Sequence, residues 1–174
     1  MAKRVNSHHS NRRYDWKEPE ILSFVEFNLL VRQQVKEIIQ SQEHIQRLCN
    51  QFSSSGEIGS DECDYLLTAL HSIRIAICTF YRLFEEPGSL PAIVKPLYYP
   101  LLAELFASEM LIEKITQIAR SFRLPGRLVS NTMVKQHFTL IHNLGELLET
   151  CENIKLFAQH MLDQACFQLL RKIK

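Results

Sequence analysis

The longest uninterrupted helical pattern in this chain runs from residue 132 to residue 172, and it constrains the fold more than any other feature. It contains no proline and one glycine, Gly145. Its apolar residues recur every three or four positions, which aligns them along one side of an α-helix. Such a helix, about 60 Å long at ~1.5 Å per residue, needs other helices along its apolar side to be stable in water. The aligned residues are Val134, Ile141, Leu144, Leu148, Cys151, Ile154, Ala158, Met161, Ala165 and Leu169.

Three shorter amphipathic patterns precede this helix and supply partners for it. We predict a first helix from Pro19 to about Phe52, a second from residue 61 to 84 and a third from residue 100 to 122. The first pattern has one polar member, Gln42, and the second is apolar throughout. Four amphipathic helices in one chain of this length predict an all-α fold, an antiparallel four-helix bundle whose first and last helices are long.

The segment between the second and third helices holds four of the six prolines, within residues 87–100. Proline lacks a backbone N–H and restricts the residue before it, so no helix is expected there until the last of these prolines. The segment also carries apolar residues, among them Leu90 and Val94. We therefore predict an extended, proline-rich strap that lies across the domain.

The first 17 residues form a polar, basic segment, predicted to be a disordered arm attached to a single domain of residues 18–174. It has five basic residues and one acid, whereas the whole chain has a net charge of only +1. Further basic residues lie in and after the third helix and at the chain end. The predicted basic surface consists of Lys3, Arg4, Arg12, Arg13, Arg120, Arg123, Arg127, Arg171 and Lys172. Those near residue 123 are expected to neutralise the acidic segment Glu57–Asp64.

Catalytic and metal-binding motifs are missing from the sequence. It contains no H-E-x-x-H, no G-x-S-x-G and no glycine-rich phosphate loop, and no histidine follows a carboxylate by three positions. The pair His142 and Glu146 is only a weak metal signal. Five cysteines without a C-x-x-C pair lie within apolar helical patterns, where they are expected to be buried free thiols. We therefore expect no enzyme activity, no cofactor, no metal and no disulfide.

The sequence has no segment of ~20 apolar residues, so we expect no membrane span. We also expect no signal peptide, because the first apolar cluster begins at Ile21 and is interrupted by Glu26. The free thiols favour a reducing intracellular compartment, the cytoplasm or the nucleus.

The unequal helix lengths lead to the functional hypothesis. Two short helices cannot cover two long ones, so apolar residues near one end of the first and last helices are left for another chain. We predict a non-catalytic interaction or assembly subunit that binds a protein partner or forms a homodimer. The predicted contact residues are Leu22, Val25, Leu29, Phe157, Met161, Leu162, Phe167 and Leu170.

Two alternatives compete with this hypothesis. In the first, the long helix breaks near Gly145 or Glu152-Asn153 and folds back, which removes the excess length. In the second, the basic residues bind nucleic acid through the arm and the segment between Arg120 and Arg127, although a dedicated nucleic-acid-binding protein is usually distinctly basic. In the leading hypothesis, Glu in place of Leu162 or Phe167 abolishes association and leaves the helical content intact.

Overall fold

The computed structural model describes residues 18–55, 58–85, 90–123 and 131–173, with side chains from residue 23 to residue 171 within these limits, except residue 131. All regular secondary structure in these ranges is α-helical, which confirms the all-α prediction. Each helix begins and ends within about three residues of its predicted limits. The helices are α1, Glu18–Ser55; α2, Ser60–Glu85; α3, Tyr99–Phe122; and α4, Asn131–Ile173.

The four helices pack around one hydrophobic core. Helix α1 contacts α2 and α4, and α3 contacts the same two helices. The apolar stripe predicted for α2 is buried along its whole length, from Cys63 to Phe84. Ile77 and Leu148, both predicted to be core residues, are 1% and 9% exposed. The heptad-like spacing of the sequence therefore identified the core side of the helices correctly.

Polar contacts show which stretches of neighbouring helices meet. In the α1 stripe, the amide of Gln42 donates to the carbonyl oxygen of Leu148 at 3.3 Å, so this polar residue has a partner on α4. A second contact joins α1 and α4, between Arg32 and Gln159 at 3.4 Å. Further polar contacts between helices are Arg123–Asp64 at 3.0 Å, Arg74–Glu113 at 2.9 Å, Tyr81–Glu109 at 3.3 Å, Asn153–Glu104 at 3.4 Å and Ser121–Gln136 at 3.3 Å.

Helix α4 is continuous over 43 residues, so the alternative in which it breaks near Gly145 or Glu152-Asn153 is wrong. At ~1.5 Å per residue it is about 65 Å long, against about 39 Å for the 26 residues of α2. Gly145 is exposed, and a Cβ added there would have no atom within 4 Å. The glycine therefore marks neither a bend nor a close approach of another helix.

Two sequence expectations about packing are wrong. Val134, assigned to the buried stripe of α4, is 47% exposed. Gln136 contacts Ser121 in the last turn of α3, so Val134 lies where α3 ends. The proline-rich segment is not extended over its described part, because residues 92–97 form turns. The N–H of Val94 donates to Pro91 and that of Leu97 to Val94, both at 2.8 Å, which satisfies backbone groups locally. As expected, Leu90 and Val94 are buried in the core.

Candidate interaction surfaces

Most of the predicted contact residues are exposed in the isolated chain. Of the eight, five expose a substantial part of their surface, and the side chain of Leu22 lies outside the described residues. Large apolar side chains left in water on one element are typical of a binding surface when they are contiguous. The exposed five are Val25 at 47%, Leu29 at 64%, Phe157 at 36%, Phe167 at 52% and Leu170 at 56%.

Met161 and Leu162 are the exceptions, and their prediction as partner-binding residues is wrong. They are 0% and 2% exposed and belong to the chain's own core. On a helix, residues three or four positions apart share a face, and both lie at that spacing from the buried Ala158 and Ala165. Leu162 faces the groove between α1 and α4. Glu at residue 162 therefore tests stability rather than association.

Four of the exposed residues make up what we call the end surface: Val25 and Leu29 on α1, and Phe167 and Leu170 on α4. Each pair is separated by three or four positions, so its two members project from the same side of their helix. The nearest recorded contact between the two helices, from Arg32 to Gln159, follows Leu29 in α1 and precedes Phe167 in α4.

A basic side chain, that of Arg171, lies at the edge of the end surface. The guanidinium carbon of Arg171 is 4.5 Å from the centre of the Phe167 ring, a cation–π geometry. This contact holds the aromatic ring while its other side stays open to solvent. The predicted basic residue Arg171 is thus part of an apolar surface with a charged rim.

A second exposed apolar surface lies on α3, and sequence analysis missed it. Its members, which we call the α3 stripe, are Tyr99, Ala103, Phe106 and Met110. Tyr99 and Met110 are each 63% exposed and Phe106 is 55% exposed. The available signal was the spacing of four, three and four residues, which forms a second stripe beside the buried one.

The α3 stripe continues onto α2 through an aromatic contact. The ring of Tyr81 lies 5.4 Å from that of Phe106, and its hydroxyl donates to Glu109 at 3.3 Å. Partial burial, followed by the nearby Glu109 carboxylate, raises the pKa of Tyr81 well above its usual range. The phenol therefore stays a neutral donor, which fixes the ring against Phe106. The arrangement supports packing and carries no sign of proton transfer.

Among the described basic residues, Arg74, Arg123 and Lys155 form ion pairs with carboxylates. Arg123 forms an ion pair with Asp64 at 3.0 Å, in line with the expected neutralisation of the acidic segment. Arg74 pairs with Glu113 at 2.9 Å, and this hydrogen bond holds the pKa of the Glu113 carboxyl below its usual range. Arg120 lines a cleft of about 220 Å³ between α2 and α3 together with these arginines and His71. Lys3, Arg4, Arg12, Arg13 and Arg127 lie outside the described residues, as does the side chain of Lys172.

Four of the five cysteines fall into two groups, and Cys49 is half-buried. Cys63 and Cys151 are buried, and burial raises the pKa of the Cys63 thiol to about 11 and that of Cys151 to about 12. Both therefore remain protonated at neutral pH and are poor nucleophiles. Cys78 and Cys166 are exposed, contrary to the expectation that all five occupy buried stripe positions.

Within the described ranges, no three His, Cys, Asp or Glu side chains are grouped closely enough to hold a metal ion. His142 and Glu146 form an exposed pair, with Nε2 and Oε1 3.5 Å apart, and this pair needs no metal to explain it. Open grooves lie between α1 and α2, with a volume of about 500 Å³, and between α1 and α4, with a volume of about 420 Å³.

One described helix, α2, is long and apolar enough to cross a membrane when judged by length and composition alone. The same helix supplies nine buried residues to the bundle core. The core helix of a soluble protein passes the same test, so this property does not decide whether the chain meets a membrane.

Comparisons with protein-family models, with curated proteins and with solved structures found no match for this chain. Function must therefore be inferred from the burial, contacts and charges of the described residues.

Proposed function

We propose that this protein is a non-catalytic interaction subunit that binds a partner chain, or a second copy of itself, through the end surface. The observation that carries the proposal is the exposure of Val25, Leu29, Phe167 and Leu170 at 47–64%. An amphipathic helix is the partner chemistry that fits best, because two parallel rows of apolar side chains on neighbouring helices form a groove for a third helix.

The proposal rests on an antiparallel arrangement of the four helices. For α1 and α4, contacts rise from residue 32 to 42 in the first helix while they fall from 159 to 148 in the second. For α2 and α3 they rise from 64 to 74 while they fall from 123 to 113. The same reversal relates α3 to α4, through 104 with 153 and 121 with 136. These registers favour an up-and-down bundle in which the start of α1 and the end of α4 share one end.

The length difference between the helices supports a surface at that end. Helices α1 and α4 have 38 and 43 residues, whereas α2 and α3 have 26 and 24. In the register set by Arg32 and Gln159, Val25 and Leu29 lie beside the last turns of α4, the part of α4 that carries Phe167 and Leu170. The packed segment that includes Leu90 and Val94 completes the proposed bundle as a strap between α2 and α3.

The test compares Leu29→Glu and Phe167→Glu with the wild-type chain. Each places a carboxylate in the proposed contact, so binding should weaken by roughly 30-fold or more, the effect of losing one strong contact. Partners are first isolated with the tagged wild-type chain and identified. The identified partner is then purified and titrated against each variant by calorimetry.

Phe138→Glu is the matched control, because Phe138 is 68% exposed on α4 but lies far from the end surface in sequence. It should bind like the wild-type chain. Circular dichroism should show unchanged helical content in all three variants. A partner that binds Phe167→Glu and Leu29→Glu as tightly as the wild type would refute the end surface as the binding site.

Nucleic-acid binding through Arg120, Arg123, Arg127 and the basic arm stays a prediction. Among the described residues Arg123 already has a carboxylate partner. If the arm binds nucleic acid, deletion of residues 1–17 should weaken binding and flatten the slope of log K against log salt, because phosphate contacts release counterions.

A further inference from the structure

We propose that two copies of this chain pair through the α3 stripe, with the two α3 helices antiparallel across a two-fold axis. This interface is separate from the end surface, so it goes beyond the proposed function. Each dimer would carry two end surfaces.

The spacing of the α3 stripe is that of a helix-pairing seam. Tyr99, Ala103, Phe106 and Met110 are separated by four, three and four residues, the pattern of alternating a and d positions in a coiled coil. The stripe extends about 16 Å along the helix, from Tyr99 to Met110 at ~1.5 Å per residue. A helix is the natural occupant of such a seam, because its own side chains enter the holes between these four.

The order of large and small residues fits a second copy of the same helix. A two-fold axis between residues 104 and 105 places Tyr99 opposite the partner copy's Met110, and Phe106 opposite its Ala103. The bulky Phe106 ring thus meets the smallest member of the stripe, and this happens twice. Ala107, also exposed, lets the two helices approach closely on the flank.

Charge does not oppose this contact. The outward positions 99, 103, 106, 107 and 110 are uncharged, and the first exposed charges outside this range are Lys95 before it and Glu113 and Lys114 after it. The nearest carboxylates are already engaged, since Glu104 accepts a hydrogen bond from Asn153 and Glu109 accepts one from Tyr81. The centre of the dimer would bury no unpaired charge, as is usual for interface cores.

The exposed area suits a modest dimer. At 55–63% exposure, the side chains of Tyr99, Phe106 and Met110 offer on the order of 300 Å². The exposed alanines, Ala103 and Ala107, and the half-buried Tyr81 raise this further, toward the ~600 Å² per copy at the lower end of the range for specific interfaces. The dissociation constant is therefore expected in the micromolar range.

Sedimentation velocity between about 1 and 200 μM tests the proposal. The wild-type chain, with a mass of 20.3 kDa, should shift from monomer to dimer across this range. Phe106→Glu should weaken dimerisation at least ~100-fold, because symmetry buries two carboxylates in one interface. Phe138→Glu, the matched exposed phenylalanine, should leave the dissociation constant unchanged within about threefold.

Disulfide trapping tests the register, with Cys78 and Cys166 first replaced by serine. Tyr99→Cys mixed with Met110→Cys should give a crosslinked pair of differently tagged chains, because these positions face each other. Tyr99→Cys alone should not crosslink, since its two copies would lie about 16 Å apart along the helix axis.

Three results would overturn the inference. The first is a monomer throughout the concentration range, and the second is efficient crosslinking of Tyr99→Cys to itself, which indicates a parallel pair. The third is a dimer that survives Phe106→Glu but is lost in Leu29→Glu or Phe167→Glu. That last result assigns self-association to the end surface, and it leaves the proposed function standing while the α3 inference fails.

Discussion

The end surface and the α3 stripe are both apolar and exposed, yet they arise for different reasons. The end surface lies on the two longest helices, and its two members on α1 flank Phe27, whose ring centre is 6.5 Å from that of Phe84 in the last turn of α2. The α3 stripe lies on the shortest helix, whose inner side is fully packed and whose outer side carries a second apolar row. The first surface combines short apolar rows from two long helices, whereas the second is an additional apolar row on one short helix. A search based on helix length finds only the first.

The largest change in stability is expected where the end surface borders the core. Leu162→Glu places a carboxylate in the core, where Leu162 is 2% exposed, and should cost about 4 kcal/mol or more of unfolding free energy. Phe167→Glu, five residues later, should change stability by less than about 0.5 kcal/mol. Urea denaturation followed by circular dichroism measures both. Equal stability of the two variants would contradict the boundary drawn between core and surface.

Shortening a core side chain should give the next largest loss of stability, and it provides a reference for substitutions on the two surfaces. Ile77→Ala and Leu148→Ala should each cost ~2–5 kcal/mol, through lost burial and the cavity left behind. The Ile77 variant should be the more costly, because its side chain is 1% exposed and that of Leu148 is 9% exposed. Ile75→Ala, at an exposed position on the same helix, is the control and should cost less than 1 kcal/mol. A small effect at Ile77 would refute its assignment to the core.

Thiol chemistry distinguishes the two surfaces in solution. Cys166 precedes Phe167 of the end surface, and Cys78 lies one turn from Tyr81, which contacts the α3 stripe. If α3 mediates dimerisation, alkylation of Cys78 should slow by about tenfold as protein concentration rises, a change worth ~1.4 kcal/mol. The rate at Cys166 should stay constant. Mass spectrometry of iodoacetamide-treated protein reports each site, and slowing at Cys166 alone would favour the end surface instead.

The smallest expected effect concerns the inner side of α3. Among the described side chains, the hydroxyl of Ser108 is a buried oxygen without a hydrogen-bond partner. Ser108→Ala removes an unsatisfied polar group and should stabilise the chain by about 1 kcal/mol, while dimerisation stays unchanged. Thermal denaturation and sedimentation of the same sample separate the two outcomes. Destabilisation would mean that this hydroxyl has a partner in solution.

Much of the fold was predictable because the recurrence of apolar residues every three or four positions determines which side of each helix is buried. The three-and-four spacing in α2, from Cys63 to Phe84, identified every buried stripe residue, and the polar Gln42 still lay between helices. The errors occur where spacing alone does not specify the neighbours. Val134 fits the stripe of α4, but its position in the bundle decides its exposure, since α3 ends near it.

The candidate surfaces were harder to predict, because exposure depends on which side of a helix is covered. Phe157 and Leu162 are both off the main stripe of α4 in the sequence, and only the position of α1 makes the second a core residue. Ala103 and Ala107 carry no signal as single residues. They form part of an apolar surface only because Phe106 and Met110 lie beside them on the outer side of α3.

The contact between α1 and α4 also has a consequence for the time course of synthesis. The pairs α1–α2, α2–α3 and α3–α4 are neighbours in sequence and can dock soon after each helix leaves the ribosome. About 75 residues separate the end of α1 from the start of α4. At roughly 5–20 residues per second, the side of α1 that receives α4 waits about 4–15 s for its partner. During that interval Val31 and Ile38 are only partly covered by other helices. This is when a chaperone is most useful to the chain.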